Sequence, residues 1–162
     1  MTKISLMQWT KRLGLLMVGL ILPSCSWYHE FYDDSFLVEK NAALFNAKQK
    51  LVEDIGIEKK GGLLHVILKR GAKTPCAEAL VLAIQKDPSS PSLNFKLYRG
   101  LSPKVSGDVL MGEFQVLSEH LLPGTQVHLS LGAGEGKVLL EAKNLSTGER
   151  LKIVRKNQDR QP

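Results

Sequence analysis

Gln126-Val127-His128-Leu129-Ser130-Leu131, then Gly132-Ala133-Gly134-Glu135-Gly136, then Lys137-Val138-Leu139-Leu140-Glu141-Ala142 carry the clearest structural signal in the chain. In the first part Val127, Leu129 and Leu131 alternate with Gln126, His128 and Ser130; in the last, Val138, Leu140 and Ala142 alternate with Lys137, Leu139 and Glu141. A period of two places each apolar set on one face of an extended strand. The glycine-rich run between them has the look of a phosphate-cradling loop, but such loops lead from a strand into a helix whose N-terminus faces the phosphate. Here a strand follows, so the run is expected to be a hairpin turn.

The same alternation recurs where Leu93, Phe95 and Leu97 exchange with Asn94, Lys96 and Tyr98. Two nearly continuous apolar runs, 63–68 and 77–84, fit interior strands, the second less well because it is rich in Ala. Turn chemistry separates these runs: Gly61-Gly62, Asp87-Pro88-Ser89-Ser90-Pro91, Leu122-Pro123-Gly124 and the segment from Asn144 to Gly148. About eight short strands at this spacing predict a mainly β fold, an antiparallel β-sandwich. Before them, Leu37, Val38, Leu44, Phe45, Leu51, Val52 and Ile55 recur at sevens and at threes and fours, which predicts a short amphipathic helix ahead of the sandwich.

The first residues have a different character. Lys3, Lys11 and Arg12 precede an apolar run from Leu13 to Leu22, with no acidic residue before Cys25. That is the layout of a secretory signal, and the run is about half of the roughly 20 residues that a transmembrane helix needs. Leu22-Pro23-Ser24-Cys25 resembles the bacterial lipobox. The expectation is a signal peptide over 1–24, acylation of Cys25, and a lipidated tether with the short helix over 25–54. An uncleaved amphipathic anchor, or a plain secretory cut that leaves Cys25 an ordinary thiol, are the alternatives. In the tether, Ser26-Trp27-Tyr28-His29-Glu30-Phe31-Tyr32 either rests its rings at the headgroup level or packs them back on the domain. The expected location is the cell envelope, facing the periplasm or exterior, with the outer membrane favoured by Ser26 if the cell has two membranes.

Charge and cysteine content narrow the function classes. The chain has 22 Lys+Arg against 16 Asp+Glu, and setting aside Lys3, Lys11 and Arg12 leaves 19 against 16, a formal +3. So mild an excess does not predict nucleic-acid binding. With Cys25 acylated, Cys76 is the remaining thiol, so no internal disulfide is expected and the domain must rest on its core. His29, His65, His120 and His128 are isolated, without spacings that converge on a metal. Neither a Gly-x-Ser-x-Gly elbow nor a partnered nucleophile stands out, and the adjacent Asp33 and Asp34 suit a solvated tether. The expectation is a non-enzyme without metal or cofactor.

Motif order then carries a resemblance. Ile55-Gly56-Ile57-Glu58-Lys59-Lys60-Gly61-Gly62, Arg70-Gly71-Ala72-Lys73-Thr74-Pro75, Leu97-Tyr98-Arg99-Gly100, Leu110-Met111-Gly112-Glu113-Phe114-Gln115-Val116, Gly136 to Lys143 and Thr147-Gly148-Glu149 occur in this sequence. Together they resemble the peptide-binding β-domain of DnaK-type (70 kDa heat-shock) chaperones, over roughly Ile55 to Ile153. The resemblance implies a sandwich domain over 55–154, followed by a polar tail over 155–162. It implies that loops hold an extended apolar peptide, with Ile57, Leu82, Leu93 and Phe95 walling a side-chain pocket. Each of these four is equally compatible with plain sandwich core. Lys60 and Gln85 correspond to the arch over the bound peptide, where the family has small or apolar residues; a cationic arch would favour acidic peptides or close poorly. The resemblance does not extend to the family's ATPase domain or helical lid. The implied function is membrane-anchored, ATP-independent binding of extended apolar segments. The alternative is a structural or assembly lipoprotein that uses the sandwich to hold one protein partner.

Overall fold

The computed structural model describes residues 35–84, 92–118 and 121–156. Among these, nine strands run in chain order: β1 (Phe36–Lys40), β2 (Asp54–Lys59), β3 (Leu63–Leu68), β4 (Cys76–Ala83), β5 (Leu93–Gly100), β6 (Val109–Leu117), β7 (Gln126–Gly134), β8 (Lys137–Asn144) and β9 (Lys152–Arg155). They form two antiparallel sheets, one of four strands in the order β1-β8-β7-β4 and one of five in the order β3-β2-β5-β6-β9. The mainly β sandwich expected from the alternation is the fold of the protein.

Strands β7 and β8 pair without interruption from Val127 opposite Asn144 to Gly134 opposite Lys137. The two-residue turn between them is Glu135-Gly136, both at positive φ (51° and 74°), the left-handed pair that matches the twist of a hairpin. The glycine-rich run is therefore a hairpin, as expected, with Gly132 to Gly134 serving as strand and only the last two residues turning. The period-two apolar residues of this hairpin, Val127, Leu129, Leu131, Val138 and Leu140, have no exposed surface. Facing them from the second sheet, Ile55, Leu97, Phe114 and Val116 are equally buried. Burying a side chain of this size contributes about 1.5–3 kcal/mol, and these two sets form one contiguous core.

The short amphipathic helix expected near 37–55 is corrected by the structure, which has strand β1, one 3-10 turn (Ala42–Leu44) and an irregular connection there. Two asparagines explain the outcome. Asn41 Oδ1 accepts the Ala43 amide at 3.0 Å and starts the 3-10 turn, and Asn46 Oδ1 accepts the amides of Lys48 (2.9 Å) and Lys50 (3.0 Å). Such side-chain bonds offer the backbone a substitute for helical pairing. Gln49, at φ 54°, reverses the chain again. The heptad spacing is real but does not mark one face, since Leu44 and Leu51 are buried while Leu37 is 49% exposed. Phe36 and Leu37 instead pair with Leu140 and Leu139 along the edge of β8, and Glu39 and Lys40 with Val138 and Lys137, across an irregularity after Leu37. The sheet thus takes in residues 36–40, ahead of the motifs that begin at Ile55.

Strand β1 is latched as well as paired. The Arg155 guanidinium donates to the Val38 carbonyl and lies 5.3 Å over the Phe114 ring, which Phe36 meets edge-on at 5.7 Å. Arg99 on β5 reaches Glu39 at 3.5 Å and Glu53 at 2.8 Å, joining β1, the β1–β2 connection and the second sheet. Its guanidinium pKa is raised, first by the hydrogen bond to Glu53, against the opposing effect of burial.

Candidate functional site

The β2–β3 hairpin and β5 position the candidate peptide-binding residues. Ile57 lies on β2 between His65 of β3 and Leu97 of β5. Leu93 and Phe95, two apart on β5, stand opposite Val116 and Phe114 of β6, and the Phe95 and Phe114 rings stack at 5.7 Å with 26° between planes. Leu82 comes from the other sheet, beside Val127, and packs half-buried against the same core. The four apolar candidates therefore converge from both sheets on one core cluster. Ile57 is 5% exposed and Leu93 and Phe95 are 8% exposed, whereas Ile55, Leu97 and Phe114, further along the same strands and on β6, are at 0%. They form the rim of the core.

Above this rim is the hairpin turn. Gly62 N–H donates to the Lys59 carbonyl at 3.1 Å, and Lys60 at the tip is exposed. A shallow recess of about 360 Å³ lies beside the tip, with Lys59, Lys60 and Lys96 facing Glu58 and Glu113. Lys96 and Glu58 approach to 3.8 Å. The phenol of nearby Tyr98 is pushed up by burial and then by Glu58, so it stays a neutral donor through physiological pH. Gln85, the other arch candidate, lies outside the described residues, as does the acylation candidate Cys25.

Two motif glycines acquire a physical cause. A Cβ on Gly56 would stand 2.1 Å from the His65 carbonyl oxygen, where β2 and β3 cross an irregularity in register. A Cβ on Gly100 would meet Asp108 Oδ1 at 1.9 Å, and that oxygen accepts the Ser102 amide at 3.1 Å. The second contact shapes the β5–β6 connection, which folds back onto the hairpin: Leu64 N–H donates to the Pro103 carbonyl at 2.9 Å and Val105 N–H to the Gly62 carbonyl at 3.0 Å. The tip is buttressed by these backbone bonds.

Nothing else among the described residues gathers reactive groups. No group of three His, Cys, Asp or Glu side chains could hold a metal there. Cys76 is free and half-buried, and its thiol pKa is raised by burial and then by Glu78, the reverse of an activated nucleophile. No described helix is long and apolar enough to cross a membrane. The strap formed by Glu39, Glu53 and Arg99 and the Arg155 latch join residues too far apart in the chain to leave a local pattern. Arg99 within a buried strand was the one available signal.

No family model matches the chain. Over 104 residues it is 27% identical to the chaperone protein DnaK of Thermosipho africanus, covering 62% of this chain and 17% of that protein. Over the same length it is 26% identical to the chaperone protein DnaK of Thermosipho melanesiensis, with equal coverage. The chain spans about a sixth of the length of these curated relatives. Its likeness to DnaK is a distant resemblance, borne by a chain whose described part is a mainly β, two-sheet domain.

Proposed function

We propose that this protein is a membrane-anchored module that binds extended apolar peptide segments outside the cytoplasm by simple equilibrium, without ATP. The observation that carries this reading is the convergence of Ile57, Leu82, Leu93 and Phe95 at the rim of the core, beneath a buttressed loop. The distant resemblance to DnaK supports it. A Leu-sized side chain entering such a rim would contribute about 1.5–3 kcal/mol, far short of the roughly 8 kcal/mol of micromolar binding, so backbone pairing with the loops would supply the rest. Acylation at Cys25 would keep the module at its membrane, since two or more acyl chains anchor stably. The export signal, in turn, is the reason to expect action without nucleotide.

Fluorescence-anisotropy titration of residues 26–162 against labelled Leu-rich peptides, with acidic or basic flanks, tests the reading. Saturable binding weakened by Leu93→Ala, and a flank preference reversed by Lys60→Glu, is the expected result. A folded protein that binds none of these peptides would sink it. The polar recess beside Lys60 favours a second reading in that case, a scaffold that holds one protein partner by its outer surface. Retention of that partner after Leu93→Ala would support it.

A further inference from the structure

The end of the sandwich opposite the β2–β3 turn is built from connections tied to one another. Asn41 N–H donates to the Gly136 carbonyl at 2.8 Å, Leu51 N–H to Ala72 at 3.0 Å and Gly71 N–H to Leu51 at 2.8 Å, while Lys50 and Lys73 are bridge partners. Six cations stand exposed here: Lys40, Lys48, Lys50, Lys69, Arg70 and Lys73. Ion pairs elsewhere among the described residues engage Lys96, Arg99, Lys143, Arg150 and Lys156. The acids of this end are mostly engaged. Glu39 and Glu53 face Arg99, Asp54 Oδ1 accepts the Arg70 amide at 2.6 Å, and Asp108 holds the Ser102 amide, which leaves Glu135 exposed on the β7–β8 turn. Among the described residues, these six exposed cations thus gather positive charge at one end. Apolar side chains exposed at the same end include Leu101 at 62% and Val52 at 36%.

We propose that this end docks on an anionic lipid surface, with the six cations among the headgroups and Leu101 and Val52 at the acyl boundary, so that the β2–β3 turn points away from the membrane. Cations mixed with exposed apolar side chains are the signature of interfacial binding, whereas a nucleic acid would have no use for the apolar pair. The tether permits this orientation. Strand β1 runs toward the basic end, so Ser35 stands about 15 Å from it at 3.3 Å per residue. The ten residue steps from Cys25 to Ser35 reach up to about 35 Å. The proposal rests on the anchored reading for that tether alone.

The test places the full chain on vesicles of phosphatidylglycerol with phosphatidylcholine, or of phosphatidylcholine alone, and maps lysine acetylation by mass spectrometry. Lys48, Lys50 and Lys73 are expected to acetylate several-fold more slowly on the anionic vesicles, with Lys59 and Lys60 unchanged, and the difference should vanish at high salt. A Lys48→Glu/Lys50→Glu/Lys73→Glu variant, exposed positions whose change leaves the core intact, should show no such protection at Lys40 and Lys69. Equal acetylation on both vesicle types, or protection of Lys59 and Lys60 to the same degree, overturns the proposal. Cosedimentation with the neutral vesicles reports the anchor separately. A chain that sediments only with anionic vesicles, protected at its basic end, refutes the anchor and supports the docking surface.

Discussion

Replacing Phe114 by Ala should remove the joint between strand β1 and the rest of the molecule. The side chain is fully buried, stacks on Phe95, receives the edge of Phe36 and lies under Arg155. Deleting a buried phenyl group in this setting costs about 3–5 kcal/mol through lost transfer energy and the cavity left behind. Of that, each aromatic pair carries about 0.5–1.5 kcal/mol beyond its area and the guanidinium contact about 0.5–1 kcal/mol. The part belonging to β1 is separable, because Phe36→Leu and Phe114→Leu keep most of the apolar volume while abolishing the edge-to-face contact. Urea unfolding of both single variants and the double variant should give a coupling energy of about 0.5–1.5 kcal/mol. An unchanged denaturant slope in all four proteins would show that the unfolded state is not the source. A coupling within a few tenths of zero would refute the joint, and so would a Phe114→Ala cost below about 1 kcal/mol.

Other expectations follow from the same contacts. Gly56→Ala should cost at least the roughly 1–3 kcal/mol of ordinary overpacking or prevent folding, since the obstacle is the His65 carbonyl of the neighbouring backbone, which cannot rotate away; a melting curve matching the parent would disprove this. Arg99→Leu should destabilise by about 1–2 kcal/mol, because Glu39 and Glu53 lose a half-buried partner, and the loss should shrink as salt rises. Cys76 should react with thiol reagents at neutral pH more slowly than it does in the unfolded chain, because burial and Glu78 raise its pKa. Above the unfolded thiol pKa the unfolded state releases this proton first, so the Cys76 contribution to stability falls as pH rises beyond about 9. A stability curve whose alkaline limb is unchanged in Cys76→Ala would contradict that.

Several parts of the molecule were legible in local pattern. Period-two alternation at 93–98, 126–131 and 137–142, with glycine and asparagine between runs, reports a sheet face directly, because a strand's side chains alternate whatever its partners are. Ile57, Leu93 and Phe95 from one sheet and Leu82 from the other all pack on the sandwich core. What the pattern left undecided was their exposure, since a buried wall and a pocket wall have the same apolar composition: Ile57, Leu93 and Phe95 keep 5–8% of their surface and Leu82 is half-buried, whereas Ile55, Leu97 and Phe114 are at 0%.

The segment from Phe36 to Ile55 shows where sequence stops. Local sequence sets which residues are apolar, where the backbone must turn and, through Gly56 and Gly100, where it must pass close to a neighbour. Long-range packing sets the rest. Heptad-spaced leucines satisfy a helix on paper, but the free edge of β8 offers Phe36 to Lys40 a ladder of hydrogen bonds, and Asn41 and Asn46 bond their own backbone instead of a helix. It likewise joined lysines from distant positions, 40 to 73, into one basic end. Such choices depend on partners far away in the chain, and a local pattern carries no information about them.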